Sequence, residues 1–210
     1  MEPKWLEWAK ALQALSQTGL HFTENVYDRD RYQQIRDIAI EMMAEQSGAE
    51  PAYLRTLFDG QTGYTTPKVD VRGVVFKGDA MLLVREKMDE GRWTLPGGWA
   101  DVNDTPSSAV EREIYEETGY RARATKILAV YDRSKQGHDP YPFHVYKLYF
   151  LCELLEDSPD AAKHDHETGE ATFFRQDELP SDLSTGRITA AQLHRFFEHH
   201  RNPNWATDFD

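Results

Sequence analysis

Along the first 48 residues, apolar positions recur at spacings of three and four. Trp5, Trp8, Ala9, Leu12 and Leu15 form one stripe, and Gly19 is expected to end that helix. Tyr32, Ile35, Ala39 and Met42 carry a second helix, with Asp28 as its expected N-cap and Gly48 as its stop. Tyr53, Leu54 and Phe58 mark a short third helix. The stretch "DGQTGYTTPK" (59–68) then breaks the pattern with Gly and Thr, and a domain boundary is expected there.

Beyond the break the period changes. "VDVRGVVF" (69–76) and "AMLLVREK" (80–87) read as strands joined by a Gly78-Asp79 hairpin turn. "RWTLP" (92–96) is a short strand, after which Gly97 and Gly98 turn the chain into a loop. Pro106 to Thr118 reads as a helix. Thr105 suits its N-cap, Pro106 its first turn and Gly119 the position just past its end. "ATKILAVYD", "FHVYKLYFLCELL" and "EATFFR" follow as strands, the last ended by "DELP". Residues 188–200 form a final helix with Ile188, Leu193, Phe196 and Phe197 inward, and the tail after Asn202 is expected to be loose. This divides the chain into a helical extension (1–66), a main domain (67–201) and a loose tail (202–210). Short amphipathic helices bury little surface alone, so the extension is expected to pack on the main domain or on a second subunit.

Composition narrows the picture. A chain of 210 residues with 40% hydrophobic and 12% aromatic content can bury a core. No apolar run approaches the roughly 18 residues of a membrane span. The start, "MEPKWLEWAK", lacks the basic and apolar blocks of a signal peptide. The single Cys152 excludes an intramolecular disulfide and a cysteine zinc cluster, and it reads as a core residue. These features favour a reducing cytoplasm. The net charge of −12 is spread along the chain, and no basic tract stands out. That argues against nucleic acid as the main partner, because phosphate neutralisation needs Lys and Arg. A small phosphate ligand whose charge is met by a metal ion stays compatible.

The chemistry concentrates in "GGWADVNDTPSSAVEREIYEETGY" (97–120), where six residues are acidic. On a helix turning about 100° per residue, Glu113, Glu116 and Glu117 share one face, while Val110 and Ile114 can anchor it. Arg112 lies four residues before Glu116, within ion-pair reach. Like charges on one face repel, so the arrangement calls for a counter-charge. Carboxylate oxygens are hard ligands that suit Mg2+ or Mn2+.

The same stretch resembles the box of the Nudix hydrolases, G-x5-E-x7-R-E-U-x-E-E-x-G-U, with U a bulky apolar residue. Gly98, Arg112, Glu113, Ile114, Glu116, Glu117, Gly119 and Tyr120 stand in register, and Asp104 replaces the first Glu. "WTLPGG" and "DELP" also fit the family, over roughly residues 67–200. The resemblance implies an α+β fold, a Nudix α/β/α sandwich preceded by a small N-terminal helical domain. It implies hydrolysis of a diphosphate linked to a group X. Glu113, Glu116 and Glu117 would then hold divalent metal, Arg112 would orient them, and Gly97 and Gly98 would shape the loop. A further carboxylate from a late loop is expected as metal ligand or general base, with Glu167 first and Glu170 second.

"WLEWAKALQALSQTGLHFTENVYDRDRYQQIRDIA" resembles the extension of the Nudix subgroup linked to ADP-ribose and CDP-choline pyrophosphatases, where it helps form a homodimer. A nucleoside diphosphate-X substrate follows from that likeness, with CDP-choline leading and ADP-ribose close behind. Arg72 and Arg85 are candidates for binding phosphate, with surface charge as the plain reading. Trp99 and Tyr131 could stack on a base, although packing is their commoner role. Arg133, His138 and His144 sit in or beside a loop that could cover substrate. Three readings compete: an RNA-directed pyrophosphohydrolase or exonuclease, a non-catalytic nucleotide-sensing module, and removal of oxidised nucleoside triphosphates.

Overall fold

The computed structural model describes residues 2–160 and 168–210. It divides into two units, Met1–Pro67 with Pro140–His144, and Lys68–Asp139 with Val145–Asp210.

The first unit holds α1 (Lys4–Phe22), α2 (Val26–Ser47) and α3 (Pro51–Asp59). Gly19 does not end α1. A Cβ there would meet the Tyr32 ring at 2.4 Å, so this glycine lets α1 and α2 close on each other. Ser16 Oγ donates to the Tyr32 carbonyl at 2.8 Å beside it. This close approach sets which face is buried: Leu6, Ala9, Gln13, Ser16 and Gln17 turn inward, whereas Trp8 and Leu15 stay 56% and 64% exposed. The cap of α2 is Asn25, whose side chain accepts from the Tyr27 and Asp28 amides; the expected cap, Asp28, instead pairs with Arg31. Gly48 closes α2 in the left-handed conformation. Leu6, Ala9, Ile40, Met43, Leu54 and Phe58 form the core, and Phe143 packs edge-on against Phe58. Contiguous sequence boundaries gave no hint that 140–144 would belong here.

The second unit is built on β1 (Lys68–Lys77), β2 (Ala80–Glu86), β3 (Arg92–Thr94), β4 (Ala122–Asp132), β5 (Val145–Leu154), β6 (Thr168–Arg175) and β7 (Asp208–Phe209). The order is β3-β2-β1-β5-β4-β7, with β6 also paired to β2. β1 runs parallel to β5, while β4 pairs antiparallel with β5. The helix α4 (Pro106–Thr118) packs Ala109, Val110 and Ile114 on one face, against Val71, Val75, Phe150 and Cys152. The helix α5 (Ala190–Arg201) packs Leu193, Phe196 and Phe197 on the other, against Val74 and Tyr149. Alternation along β1 and β5 supplies both faces, which gives the α/β/α layering.

β1 pairs with β2 only at Phe76↔Met81 and Lys77↔Ala80. Further back along β1, the segment after β3 takes over. Gly73 N donates to Pro96 O and Val71 N to Gly98 O, both at 2.8 Å, and Ala100 N donates to Val69 O at 3.0 Å. The Gly97-Gly98 turn is therefore laid directly on β1. Gly73 also has a steric reason: a Cβ there would meet Ile114 Cδ1 at 2.5 Å, so its absence lets α4 approach.

The tail is ordered rather than loose. β7 pairs parallel with β4, Ala129 to Asp208 and Val130 to Phe209. Arg195 donates to both Asp208 oxygens at 2.6 and 2.8 Å, and His199 Nε2 lies 3.0 Å from Oδ2. Polar anchors rather than an apolar run hold this segment, so hydrophobic periodicity misses it. The Arg195 hydrogen bond holds the Asp208 carboxyl down to about 2. Because the folded value lies below the ordinary one near 3.9, this contribution is complete above about pH 4 and is lost as pH falls through 2. Asp208→Asn should lower stability by about 1 kcal/mol at neutral pH, after discounting for solvent screening. It should also flatten the acid limb of a pH-resolved thermal unfolding series.

Candidate active site

α4 begins with a reciprocal cap. Thr105 Oγ1 accepts from Ser108 N at 3.1 Å, and Ser108 Oγ accepts from Thr105 N at 2.9 Å. Gly119, at φ 72°, ends it. Val110 and Ile114, fully buried, fix the rotation of the helix and turn Glu113 and Glu117 toward the Gly97-Gly98 turn.

Arg112 is the hub of the exposed part of the cluster. Its Nη1 lies 3.0 Å from Glu113 Oε1 and from Glu116 Oε2. Nε and Nη2 reach Asp104 Oδ2 at 3.2 Å, and Nη2 also reaches Asp101 Oδ2 at 3.2 Å. Asp104, one methylene shorter than the Glu of the motif, still meets the guanidinium. One cation among four carboxylates leaves an excess of negative charge.

Glu117 faces inward. Its Oε2 accepts from Gly97 N at 2.9 Å. Desolvation pushes its carboxyl up to about 8, against the pull of Arg72 and the Gly97 amide, with the Glu113 and Glu86 charges adding to the rise. Burial also raises Glu113 above the ordinary carboxylate range, opposed by Arg112. Desolvated carboxylates beside one another gain from a cation, and hard oxygen donors select a divalent one. Among the described residues no three His, Cys, Asp or Glu side chains converge as a ready metal cage. Arg112 and the Gly97 amide hold the glutamates instead.

The turn is tightly fitted. Gly97 sits at φ 138°, where a Cβ would lie 2.1 Å from Val71 O; at Gly98 it would lie 3.0 Å from Glu113 Oε2. Gly97→Ala should therefore cost about 2 kcal/mol or more through backbone strain and displacement from β1. Gly98→Ala should leave unfolding close to wild type while lowering activity, because its Cβ presses only on a side-chain end. Parallel melting curves and turnover assays of the two variants check the contrast.

The other expected site residues separate. Arg72 is not an open phosphate-binding position. Its Nε and Nη2 donate to Asp70 at 2.8 and 2.9 Å, and Nη1 donates to Leu95 O at 3.2 Å. Lys147, 1% exposed, places Nζ 3.1 Å from the same Asp70 oxygen that Arg72 Nε reaches. Tyr131 is a core ring rather than a stacking platform: it is buried against Tyr149, with its hydroxyl donating to Asp208. Arg133 is likewise turned to the protein, donating to the Gly186 and Asp139 carbonyls. His138 Nδ1 lies 2.8 Å from Thr185 O, and desolvation lowers the ring to about 4. His144 falls in the segment grouped with the helical unit.

Arg85 lies over the Trp93 ring and pairs with Asp182 and Glu170 at 3.5 and 3.7 Å. Trp99, bridged to Asp70 through the backbone, remains 45% exposed. Glu170 is a solvated partner of Arg85, and Glu167 lies outside the described residues. Sequence reasoning missed Glu86, which is buried, pairs with Arg187 at 3.2 Å and raises Glu117. It also missed the Asp70–Lys147 pair. The signal available was Asp70 and Arg72 two apart in an apolar strand, which puts opposite charges on one buried face.

Comparison with known proteins bears on the same residues. Residues 66–196 match the family described as NUDIX domain, and residues 3–58 match the one described as UDP-X-like, N-terminal oligomerisation domain. A Bacillus subtilis protein, YjhB, provisionally named as an ADP-ribose pyrophosphatase, is 41% identical over 210 residues, covering 100% of this chain and 99% of its own. A crystal structure titled as an ADP-ribose pyrophosphatase from Streptococcus suis is 37% identical, with a TM-score of 0.61, and covers 69% of this chain and 100% of its own. A structure titled UDP-X diphosphatase is 29% identical, with a TM-score of 0.61, over 98% of both chains. With the NUDIX domain matched over residues 66–196 and a relative 41% identical over the whole chain, on a fold that sets an acidic helix beside a Gly-Gly turn, the chain belongs to the Nudix family of hydrolases.

Proposed function

We propose that this enzyme hydrolyses the diphosphate of nucleoside diphosphate-X compounds, ADP-ribose first among them, releasing a nucleoside monophosphate and phosphorylated X. The observation that carries the reading is the carboxylate face of α4 set against the Gly97-Gly98 turn. Glu113, Glu116 and Glu117 would hold divalent metal, Mg2+ or Mn2+. When bound, the cation supplies polarised phosphoryl oxygens and an acidified water. Arg112 keeps the outer carboxylates in place by pairing with them. The Gly97 amide fixes Glu117, and the absent side chain at Gly98 leaves room beside Glu113. Water oxygen attacks one phosphorus, the bridging P–O bond breaks, and the leaving phosphate keeps the electron pair. Glu167 is the proposed acceptor of the water proton. Arg85 and Trp99 are the proposed contacts to phosphate and base, and the exposure of Trp99 supports stacking.

A pyrimidine substrate such as CDP-choline is the second reading. It is favoured by the UDP-X-like match of the N-terminal segment and by the likeness to a UDP-X diphosphatase over nearly the whole chain. The same N-terminal match supports a homodimer, as do Trp8, Leu15 and Tyr27, apolar side chains exposed on the helical unit. A substrate panel with Mg2+ or Mn2+ tests the function. ADP-ribose, CDP-choline, UDP-sugars, NADH, an oxidised nucleoside triphosphate and triphosphorylated RNA are compared by kcat/KM. ADP-ribose leading by about tenfold, equivalent to 1.4 kcal/mol, supports the first reading. Pyrophosphate as the product, or RNA as the best substrate, overturns it.

A further inference from the structure

We infer that Arg72, locked by Asp70 and Lys147, is a positioning residue that holds the Gly97-Gly98 turn and Glu117 in place without touching substrate. The inference rests on the proposed function. Three consecutive residues of β1 attach the turn: Val71 N to Gly98 O, Gly73 N to Pro96 O, and between them Arg72 Nη1 to Leu95 O. Gly97 N then reaches Glu117. A shift of Arg72 is thus passed through Leu95 and the turn to the carboxylate on α4.

Every guanidinium nitrogen of Arg72 is engaged within the protein, and the residue is 4% exposed. A phosphate would have to displace Asp70 or a backbone carbonyl to reach it. The lock itself has an electrostatic logic. Lys147 and Arg72 share one carboxylate, Asp70, so two cations meet one anion. The charge of Arg72 also reaches Glu117 and Glu113, pulling both carboxyls down against their burial. Charge alternates from Lys147 through Asp70 to Arg72. Buried charges this close are tolerated only when each is paired.

Arg72→Lys and Lys147→Met in the full-length chain test this. kcat and KM are measured on the substrate that leads the panel, Mn2+ affinity is read by electron paramagnetic resonance without substrate, and melting is recorded. For Arg72→Lys we expect kcat to fall by about 30-fold with KM within about twofold, the signature of an interaction that does not bind substrate in the ground state. Mn2+ affinity should weaken by about fivefold, because the carboxylate is no longer pre-placed. Lys147→Met should show the same pattern at smaller size with no loss of melting temperature, which keeps the test valid if Arg72→Lys folds poorly. A KM that rises tenfold with kcat preserved makes Arg72 a substrate contact and overturns the inference. Wild-type kcat and Mn2+ affinity in Lys147→Met overturn it as well, while leaving the proposed function standing. A wild-type protein that neither binds Mn2+ nor cleaves any diphosphate overturns both.

Discussion

Glu117→Gln should lower kcat by about 10³-fold, the scale seen when one preorganised charge-stabilising group is removed from an active site. The substitution is nearly isosteric. A glutamine oxygen can still accept from the Gly97 amide, so the turn keeps its place. What disappears is the negative charge. The same change should hold or raise the melting temperature. In the free protein Glu117 is desolvated among Glu113 and Glu86, with its carboxyl pushed up to about 8, so folding at neutral pH must take up a proton or bury a charge, a cost that glutamine does not carry. Activity and stability are thus expected to move in opposite directions, as at sites where function is kept at the expense of stability. Steady-state kinetics and a melting curve on one preparation check both. A variant with wild-type turnover removes Glu117 from the mechanism.

Asp70→Asn should be the most destabilising of the conservative substitutions considered, by about 3–5 kcal/mol. Asp70 is the carboxylate shared by Arg72 and Lys147, and all three are buried. Amidation leaves two cations facing each other out of water. Lys147→Met acts oppositely: it removes the surplus cation and leaves the Arg72–Asp70 pair intact, so unfolding stays near wild type. The double variant should recover part of the Asp70→Asn loss, since only one cation then remains uncompensated. Urea unfolding of the four proteins, with the slope held in common, gives the coupling.

Legibility in the sequence followed the kind of force at work. α4 was readable to the residue because its signals are local: Thr105 and Pro106 start it, Gly119 stops it, and Val110 and Ile114 set its face. The carboxylates followed from that face. The turn was readable because only glycine fits at Gly97, where φ is 138° and Val71 O lies in the way. Long-range packing was not readable. Trp8 and Leu15 look like core on a wheel, yet the close approach of α1 to α2 buries Ser16 and Gln13 instead. Gly19 looks like a stop, yet it is a contact for Tyr32. Arg72 and Arg133 look like ligands for anions, but their partners are Asp70, Leu95, Gly186 and Asp139, brought together only by the sheet and its connections. A guanidinium in a sequence advertises its charge, whereas its partner is chosen by topology.

The last nine residues bear on handling as well as on shape. β7 lies along the outer side of β4, and Lys126 donates to the carbonyls of Pro203 and Trp205 while the Asp132 amide meets Asp210. A strand with an open row of amides and carbonyls is a template for intermolecular pairing. The tail fills part of that row with the chain's own backbone and ends it with acidic groups. Trimming by a protease, or a fusion that pulls the segment away, would turn a closed border into an adhesive one. Loss of solubility would then precede any loss of the proposed catalytic site, whose Gly97-Gly98 turn is laid on β1, separated from β4 by β5.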